Sequence, residues 1–194
     1  MKRIALFATL SVAVLLCSCT GRKAQDPVAK ALEMMSPLDS LELKYESSLK
    51  PGDQAPEFSA PDTLGTVISL SGYAGKYLVV DFWASWCRDC RREIPEMKAI
   101  FEEFGQKTIA GCPVEFLSVS FDHQEEAWKA CIAAEEFPWP QVSTLVKWKQ
   151  NPISISYDVN WIPTMYVISP DGKIAAHALS AARLKEILTL STAE

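Results

Sequence analysis

A buried strand that leads directly into two cysteines at the start of a helix constrains this chain more than any other feature. The β-branched and aromatic run 77–82 predicts a buried strand. Apolar residues then recur at intervals of three and four as far as Phe104, which predicts a helix that begins near Cys87. Two residues separate Cys87 from Cys90, so the second thiol returns one helical turn later, within reach of a disulfide. This arrangement favours redox chemistry of a cysteine pair.

The start of a helix also distinguishes the two thiols. Free backbone N–H groups and the positive end of the helix dipole stabilise a thiolate at Cys87. We therefore expect Cys87 to attack a disulfide and Cys90 to resolve the mixed disulfide that results. Arg88 should favour the Cys87 thiolate, whereas Asp89 should oppose it.

Other uses of a CxxC pair fit this sequence less well. Covalent haem needs a histidine directly after the second cysteine, and Arg91 stands there. A zinc site needs a second close pair of ligands, but Cys112 and Cys131 are far apart and His123 and His177 are single. A purely structural disulfide between Cys87 and Cys90 is the remaining alternative. We expect no metal or organic cofactor, and we expect Cys112 and Cys131 to lie too far apart to bond to each other.

The formal net charge of −5 argues against nucleic acid as a partner, and the chain has no phosphate-binding glycine loop.

The remaining pattern predicts an α/β fold with a mixed sheet. Strands and helices alternate, and a Pro-Asp-Gly turn joins the last two strands as a hairpin. Beyond the strand and helix already described, we predict a strand over 114–120, a helix over 124–135, strands over 164–168 and 174–178, and a last helix from Ser180 to about 190.

The N-terminus is typical of an exported protein. Two basic residues precede the apolar run 4–16, which is short for a membrane span. The run ends in Leu-Cys-Ser-Cys, which resembles a bacterial lipobox and implies cleavage before Cys19 and acylation of that residue. A genuine transmembrane anchor is the alternative. The chain would then comprise three parts: a lipoprotein signal peptide (1–19), a polar spacer (20–50) and a globular domain (51–194).

Several motifs together resemble the thioredoxin superfamily, and within it the membrane-tethered, extracytoplasmic TlpA/ResA-like thiol-disulfide oxidoreductases. The resemblance covers the chain from about residue 50 onward. It implies a thioredoxin-like three-layer sandwich with a mixed central β-sheet and an N-terminal β extension. The motifs are PGDQAPEF at 51–58, DFWASWC at 81–87, WIPT at 161–164 and SPDGK at 169–173.

The resemblance assigns roles to residues outside the cysteine pair. Asp81 lies on an otherwise apolar strand, where burial should raise its pKa, and family members carry there an acid that transfers the proton of the resolving thiol. Glu93 matches a second acid beside the active site. Pro163 should be cis, so that the Ile162 backbone can pair with an extended substrate, and Trp86 and Trp161 should border the substrate. Trp83 is a further candidate for this rim, although it fits the core as well.

The resemblance also implies a function and a location. The protein would reduce disulfides in cysteine-containing exported proteins on the periplasmic side of a bacterial membrane, anchored by lipid to either the inner or the outer membrane. A membrane electron-donor thiol-disulfide protein would recharge it. A lipid-anchored protein that binds cysteine-containing partners without turnover is the alternative.

Two departures from related sequences lie near the cysteine pair. Peroxide-reducing relatives carry a proline and a threonine at set distances before their active-site cysteine. Trp83 and Ser85 occupy those positions here, which disfavours a peroxide-reducing enzyme. The usual proline before Cys90 is also missing.

Overall fold

The computed structural model describes residues 25–192. The predicted signal peptide and Cys19 lie outside the described residues. Within 25–192, no helix combines the length and the apolar character needed to cross a membrane.

Eight strands and six α-helices occur in the described part of the chain. The strands are β1 (Ser59–Pro61), β2 (Val67–Ser69), β3 (Tyr77–Trp83), β4 (Thr108–Ile109), β5 (Cys112–Ser120), β6 (Gln141–Ser143), β7 (Thr164–Ile168) and β8 (Ile174–Ala178). The helices are α1 (Pro27–Met34), α2 (Ser40–Lys44), α3 (Arg88–Phe104), α4 (Glu125–Glu135), α5 (Pro152–Ser156) and α6 (Ala181–Ser191). Short 3₁₀ turns lie at Leu70–Tyr73 and Trp148–Gln150.

The central sheet is mixed, as predicted. β3 lies in its middle, parallel to β5 and antiparallel to β7, and β8 extends the sheet antiparallel to β7. On the other side, β6 pairs in parallel with the end of β5 and β4 pairs antiparallel with its start. β1 and β2 form a separate hairpin, the N-terminal β extension, which an isolated bridge from Asp62 to Val142 joins to the sheet.

Helices cover both faces of the sheet, which gives the three layers of a thioredoxin-like fold. Alternate residues of β3 are buried in opposite directions, so that Tyr77 and Val79 pack with α1, α3 and α6, while Leu78, Val80 and Phe82 pack with α4, α5 and the β extension. All seven residues of β3 are buried, as the apolar run predicts for a central strand.

The principal predicted elements are confirmed to within about two residues, and Pro95 lies inside α3 without ending it. β4, β6, α2 and α5 were not predicted from the sequence. These elements have two, three, five and five residues, which is too short for a clear hydrophobic period.

Residues 25–50, which the sequence analysis assigned to a spacer, pack on the domain. α1 begins at the cap Asp26, whose carboxylate accepts the Val28 N–H at 2.8 Å and the Tyr77 hydroxyl at 3.1 Å. Val28 and Ala31 are fully buried against the layer that holds α6. The polar character of this segment therefore belongs to one face of a short helix, while its small apolar residues face the core.

Candidate active site

The Cys87–Cys90 disulfide lies where β3 delivers the chain into α3. Cys87 is the N-cap of α3, and the backbone N–H of Cys90 donates to its Sγ at 3.1 Å. Cys87 is 7% exposed and Cys90 is 3% exposed. Cys87 thus lies at the N-terminal end of α3, with a first-turn N–H directed at its sulfur, which is a position where a thiolate is stabilised.

A cis-proline loop lies directly against the disulfide. The Ile162–Pro163 bond is cis, in agreement with the prediction, and the Ile162 carbonyl oxygen lies 3.7 Å from Cys87 Sγ. The Thr164 hydroxyl donates to the Trp161 carbonyl at 2.7 Å and closes the loop on its other side. An extended main chain brought to this loop would therefore lie beside Cys87 Sγ.

Asp81 is buried beneath the cysteine pair and has one polar partner on the neighbouring strand. It is 6% exposed, and its Oδ2 accepts the Ser118 hydroxyl at 2.9 Å. The indole N–H of Trp139 donates to the same Ser118 oxygen at 2.8 Å. The pKa of Asp81 is raised to about 7: burial is the main cause, the Ser118 hydrogen bond opposes it, and the nearby Glu93 charge adds to it.

Glu93 lies near Asp81 but has a structural partner of its own. Its carboxylate accepts the Ala181 N–H at 2.6 Å, and Ala181 is the first residue of α6. The positive end of a helix is a favourable place for a carboxylate. Asp81, Cys90, Glu93 and Pro163 all line one small cavity of about 10 Å³. That is close to the smallest space that holds a water molecule, so the two acids and Cys90 share one confined site.

Asp122 is a site residue that the sequence analysis missed. It is fully buried at the end of β5, and its carboxylate accepts the Ser85 N–H at 2.8 Å, the Ser85 hydroxyl at 2.6 Å and the Ser120 hydroxyl at 2.7 Å. These bonds fix the loop two residues before Cys87. The signal available in the sequence was an acidic residue directly after an apolar strand.

The tryptophans predicted to border the substrate differ in their surroundings. Trp86 is 52% exposed and lies 6.2 Å from the Trp148 ring, while Trp161 is half-buried. Trp83 is only 2% exposed, and its indole N–H donates to the Gln141 side chain. Of the two places expected for Trp83, the core is therefore the correct one and the rim is wrong, because β3 continues through residue 83 and turns the ring inward.

The charges around the cysteine pair are partly compensated. Arg92 is paired with Asp89 at 2.5 Å and Arg91 lies 3.7 Å from Glu135, while Arg88 is exposed. His123 is exposed, three residues after the end of β5.

Cys112 and Cys131 do not form a disulfide with each other. Residues 25–192 contain no group of three potential ligands that could hold a metal ion.

The fold and the site together define a thioredoxin-fold protein with a redox-active cysteine pair. Comparison with known proteins agrees. The family described as AhpC/TSA matches residues 51–177. The thioredoxin-like protein YneN of Bacillus subtilis is 30% identical over 131 residues, which cover 68% of this chain and 72% of that protein. The thiol-disulfide oxidoreductase ResA of the same organism is 29% identical over 129 residues, covering 66% and 67% of the two chains.

Solved structures show the same similarity. The thioredoxin domain of a thiol-disulfide oxidoreductase from Bacteroides vulgatus has 32% sequence identity and a TM-score of 0.66, with 75% of this chain and 99% of that chain covered. The chain therefore belongs to the AhpC/TSA family and is a thioredoxin-like thiol-disulfide oxidoreductase.

Proposed function

We propose that this oxidoreductase works outside the cytoplasm and reduces disulfides in exported proteins. The observation that carries the proposal is the Cys87–Cys90 pair at the start of α3, with the Ile162 carbonyl 3.7 Å from Cys87 Sγ. That carbonyl is an acceptor for an extended substrate chain, so the substrate would be aligned beside the sulfur that reacts.

The reaction is a two-electron exchange between dithiol and disulfide. The Cys87 thiolate attacks one sulfur of the substrate disulfide, forming a mixed disulfide and releasing the other substrate sulfur as a thiolate. Cys90 then loses its proton and attacks Cys87 Sγ, which breaks the mixed disulfide and releases the second substrate sulfur as a thiolate, which takes up a proton. The substrate is reduced by two electrons and the enzyme holds the Cys87–Cys90 disulfide. A membrane electron-donor thiol-disulfide protein then returns it to the dithiol.

Asp81 is the proposed proton acceptor for Cys90. A pKa of about 7 suits a group that must both take and return a proton near neutral pH. Both residues line the same small cavity, so that one intervening water could connect them. Glu93 faces this cavity too, and its charge supports the proton affinity of Asp81. We therefore propose Glu93 as the second proton acceptor and donor, after Asp81.

The proposed substrate surface combines backbone and aromatic groups. Ile162 and Pro163 would align the main chain, while Trp86 and Trp161 would contact side chains next to the substrate cysteine. The 52% exposure of Trp86 leaves a large aromatic surface open to a partner.

The proposed anchor is acylated Cys19. The Leu-Cys-Ser-Cys sequence supports it, and several acyl chains hold a protein at a membrane far more firmly than one. The Cys19→Ala variant is expected to move to the soluble fraction or to remain unprocessed. Processing and membrane retention of that variant would exclude the lipid anchor.

Turnover separates the enzyme from a binding protein. We expect the full-length protein to accelerate the reduction of insulin by dithiothreitol, and Cys87→Ser to abolish this. Cys90→Ser should accumulate mixed disulfides with substrate proteins, whereas Cys131→Ser, a matched change outside the site, should behave as wild type. Trapped partners without catalysed insulin reduction by the wild type would favour the binding protein.

A further inference from the structure

Tyr45, from the segment that precedes the recognised domain, contacts the cis-proline loop. It follows α2, and its N–H donates to the Leu41 carbonyl at 3.0 Å. The Tyr45 ring stacks on Trp161 with the ring centroids 4.9 Å apart and an angle of 28° between the planes. The two aromatic side chains thus form one surface beside the active site.

The segment that carries Tyr45 is attached to the domain on both sides of this residue. Before it, Glu42 forms an ion pair with Arg183 at 3.4 Å, and both side chains are largely buried, with 12% and 11% exposure. After it, the Ser48 N–H donates to Asp158 at 2.8 Å. α2 itself is closed by a capping box between Asp39 and Glu42. The position of the Tyr45 ring is therefore set by contacts along the segment.

Trp161 in turn lies next to the reacting atoms. It directly precedes Ile162, whose carbonyl oxygen is 3.7 Å from Cys87 Sγ. The Trp161 carbonyl is held by the Thr164 hydroxyl, but its indole is half-buried and its one stacked partner among residues 25–192 is Tyr45. Stacking on Tyr45 thus restricts the indole ring.

We propose that Tyr45 is a positioning residue for substrate binding: it holds the Trp161 indole in place beside the cis-proline loop, so that an extended, cysteine-containing peptide meets a preformed aromatic surface. The proposal rests on the proposed function, because it concerns the same substrate surface. It makes residues 36–50 part of the binding face as well as the connection to the membrane.

A side chain that is ordered before binding loses less conformational freedom when the partner arrives. Loss of the stacked ring should therefore weaken peptide binding and leave the cysteine chemistry unchanged. A stacked aromatic pair corresponds to about a two- to tenfold change in an equilibrium constant. We expect Tyr45→Ala to raise KM for a peptide disulfide by this factor, with little change in kcat.

The test uses the full-length protein in detergent, with dithiothreitol as the reductant. The substrates are a disulfide-bonded peptide with apolar residues beside its cysteines, and oxidised glutathione as a small disulfide. Tyr45→Phe keeps the ring and should restore the wild-type KM. Leu43→Ala, in the preceding helix α2, is the matched control, because Leu43 is 61% exposed. Circular dichroism melting checks that each variant is folded.

Two results would overturn the proposal. One is a wild-type peptide KM in Tyr45→Ala, and the other is an equal loss of rate on oxidised glutathione, which would place the effect at the cysteines. If Tyr45→Ala does not fold, Tyr45→Leu and Glu42→Gln replace it, and wild-type KM values in both would refute the idea. Failure of the wild type to reduce either disulfide would instead count against the proposed function.

Discussion

Replacing Ser118 with alanine is expected to move the pH dependence of the reaction without touching either cysteine. Trp139 can only donate through its indole N–H, so the Ser118 oxygen accepts that bond and directs its own proton to Asp81. The hydroxyl therefore stabilises the ionised form of Asp81. Ser118→Ala removes this donor from a buried carboxylate, and the pKa of Asp81 should rise above its value of about 7.

The size of the shift follows from the single bond that is lost. A hydrogen bond to a charged group contributes about 1.5–3 kcal/mol, and about 1.4 kcal/mol corresponds to one pKa unit. We expect the pKa of Asp81 to rise by about one to two units. At pH 7 the ionised fraction of Asp81 would fall from about one half to less than about one tenth. A step that needs this carboxylate would slow about fivefold or more and recover above pH 9.

The assay is the rate at which Cys90 resolves a preformed mixed disulfide at Cys87, followed by stopped flow between pH 5 and 10. Ser118→Ala should shift the acid limb of the profile toward higher pH. Trp139→Phe is the matched control, because it removes the donor to Ser118 and leaves the hydroxyl bound to Asp81. Its acid limb should move much less.

Two outcomes would refute this account. An unchanged acid limb in Ser118→Ala, together with its loss in Asp81→Asn, would show that Asp81 acts without help from Ser118. An acid limb that survives in Asp81→Asn would show that another group accepts the Cys90 proton.

Three further predictions concern stability and reactivity. Because burial raises the pKa of Asp81 from 3.8 to about 7, its contribution to folded-state stability is fully present below pH 3.8 and is lost as the pH rises through 7. In urea unfolding, Asp81→Asn should be more stable than wild type at pH 9, by up to about 4 kcal/mol, and this difference should vanish near pH 3. Alkylation of the reduced protein at pH 7 should modify Cys87 before Cys90, and mass spectrometry showing the opposite order would reverse their roles. Asp122→Asn should lower the free energy of unfolding by about 1.5–3 kcal/mol, because a single amide oxygen cannot accept the Ser85 N–H and both the Ser85 and Ser120 hydroxyls. A change below about 0.5 kcal/mol would contradict this.

The parts of the site that could be predicted from the sequence are those that lie close together along the chain. Cys87, Cys90 and Asp81 occur within ten residues, on a strand and a helix whose patterns differ clearly. The cis bond before Pro163 was expected from a family motif, since an Ile-Pro bond has no intrinsic preference for cis. Local pattern and motif therefore sufficed for the cysteine pair and its nearest neighbours.

The polar partners could not be predicted, because they depend on the alignment of strands that are far apart in sequence. Ser118 faces Asp81 only because β3 and β5 pair in parallel with these two residues in register. Trp139 reaches the same hydroxyl from the turn before β6, a strand too short to recognise. The contact of Tyr45 with Trp161 likewise joins a polar segment to a loop more than a hundred residues later. None of these pairs has a signal in either partner alone.

The structure also changes how the acids near the cysteines act on the redox equilibrium. Negative charge close to Cys87 disfavours its thiolate and so favours the disulfide, which makes a protein a better reductant. The sequence places three acids near the cysteine pair: Asp89, Asp81 and Glu93. In the structure, Arg92 offsets the charge of Asp89, and Asp81 with a pKa of about 7 carries only about half a charge at neutral pH. The Glu93 carboxylate accepts the Ala181 N–H at the start of α6, where the positive end of the helix partly offsets negative charge. The acid whose effect on the redox equilibrium depends most on pH is therefore Asp81. As the pH rises above 7, Asp81 becomes fully ionised, and its charge then opposes the Cys87 thiolate more strongly than at neutral pH.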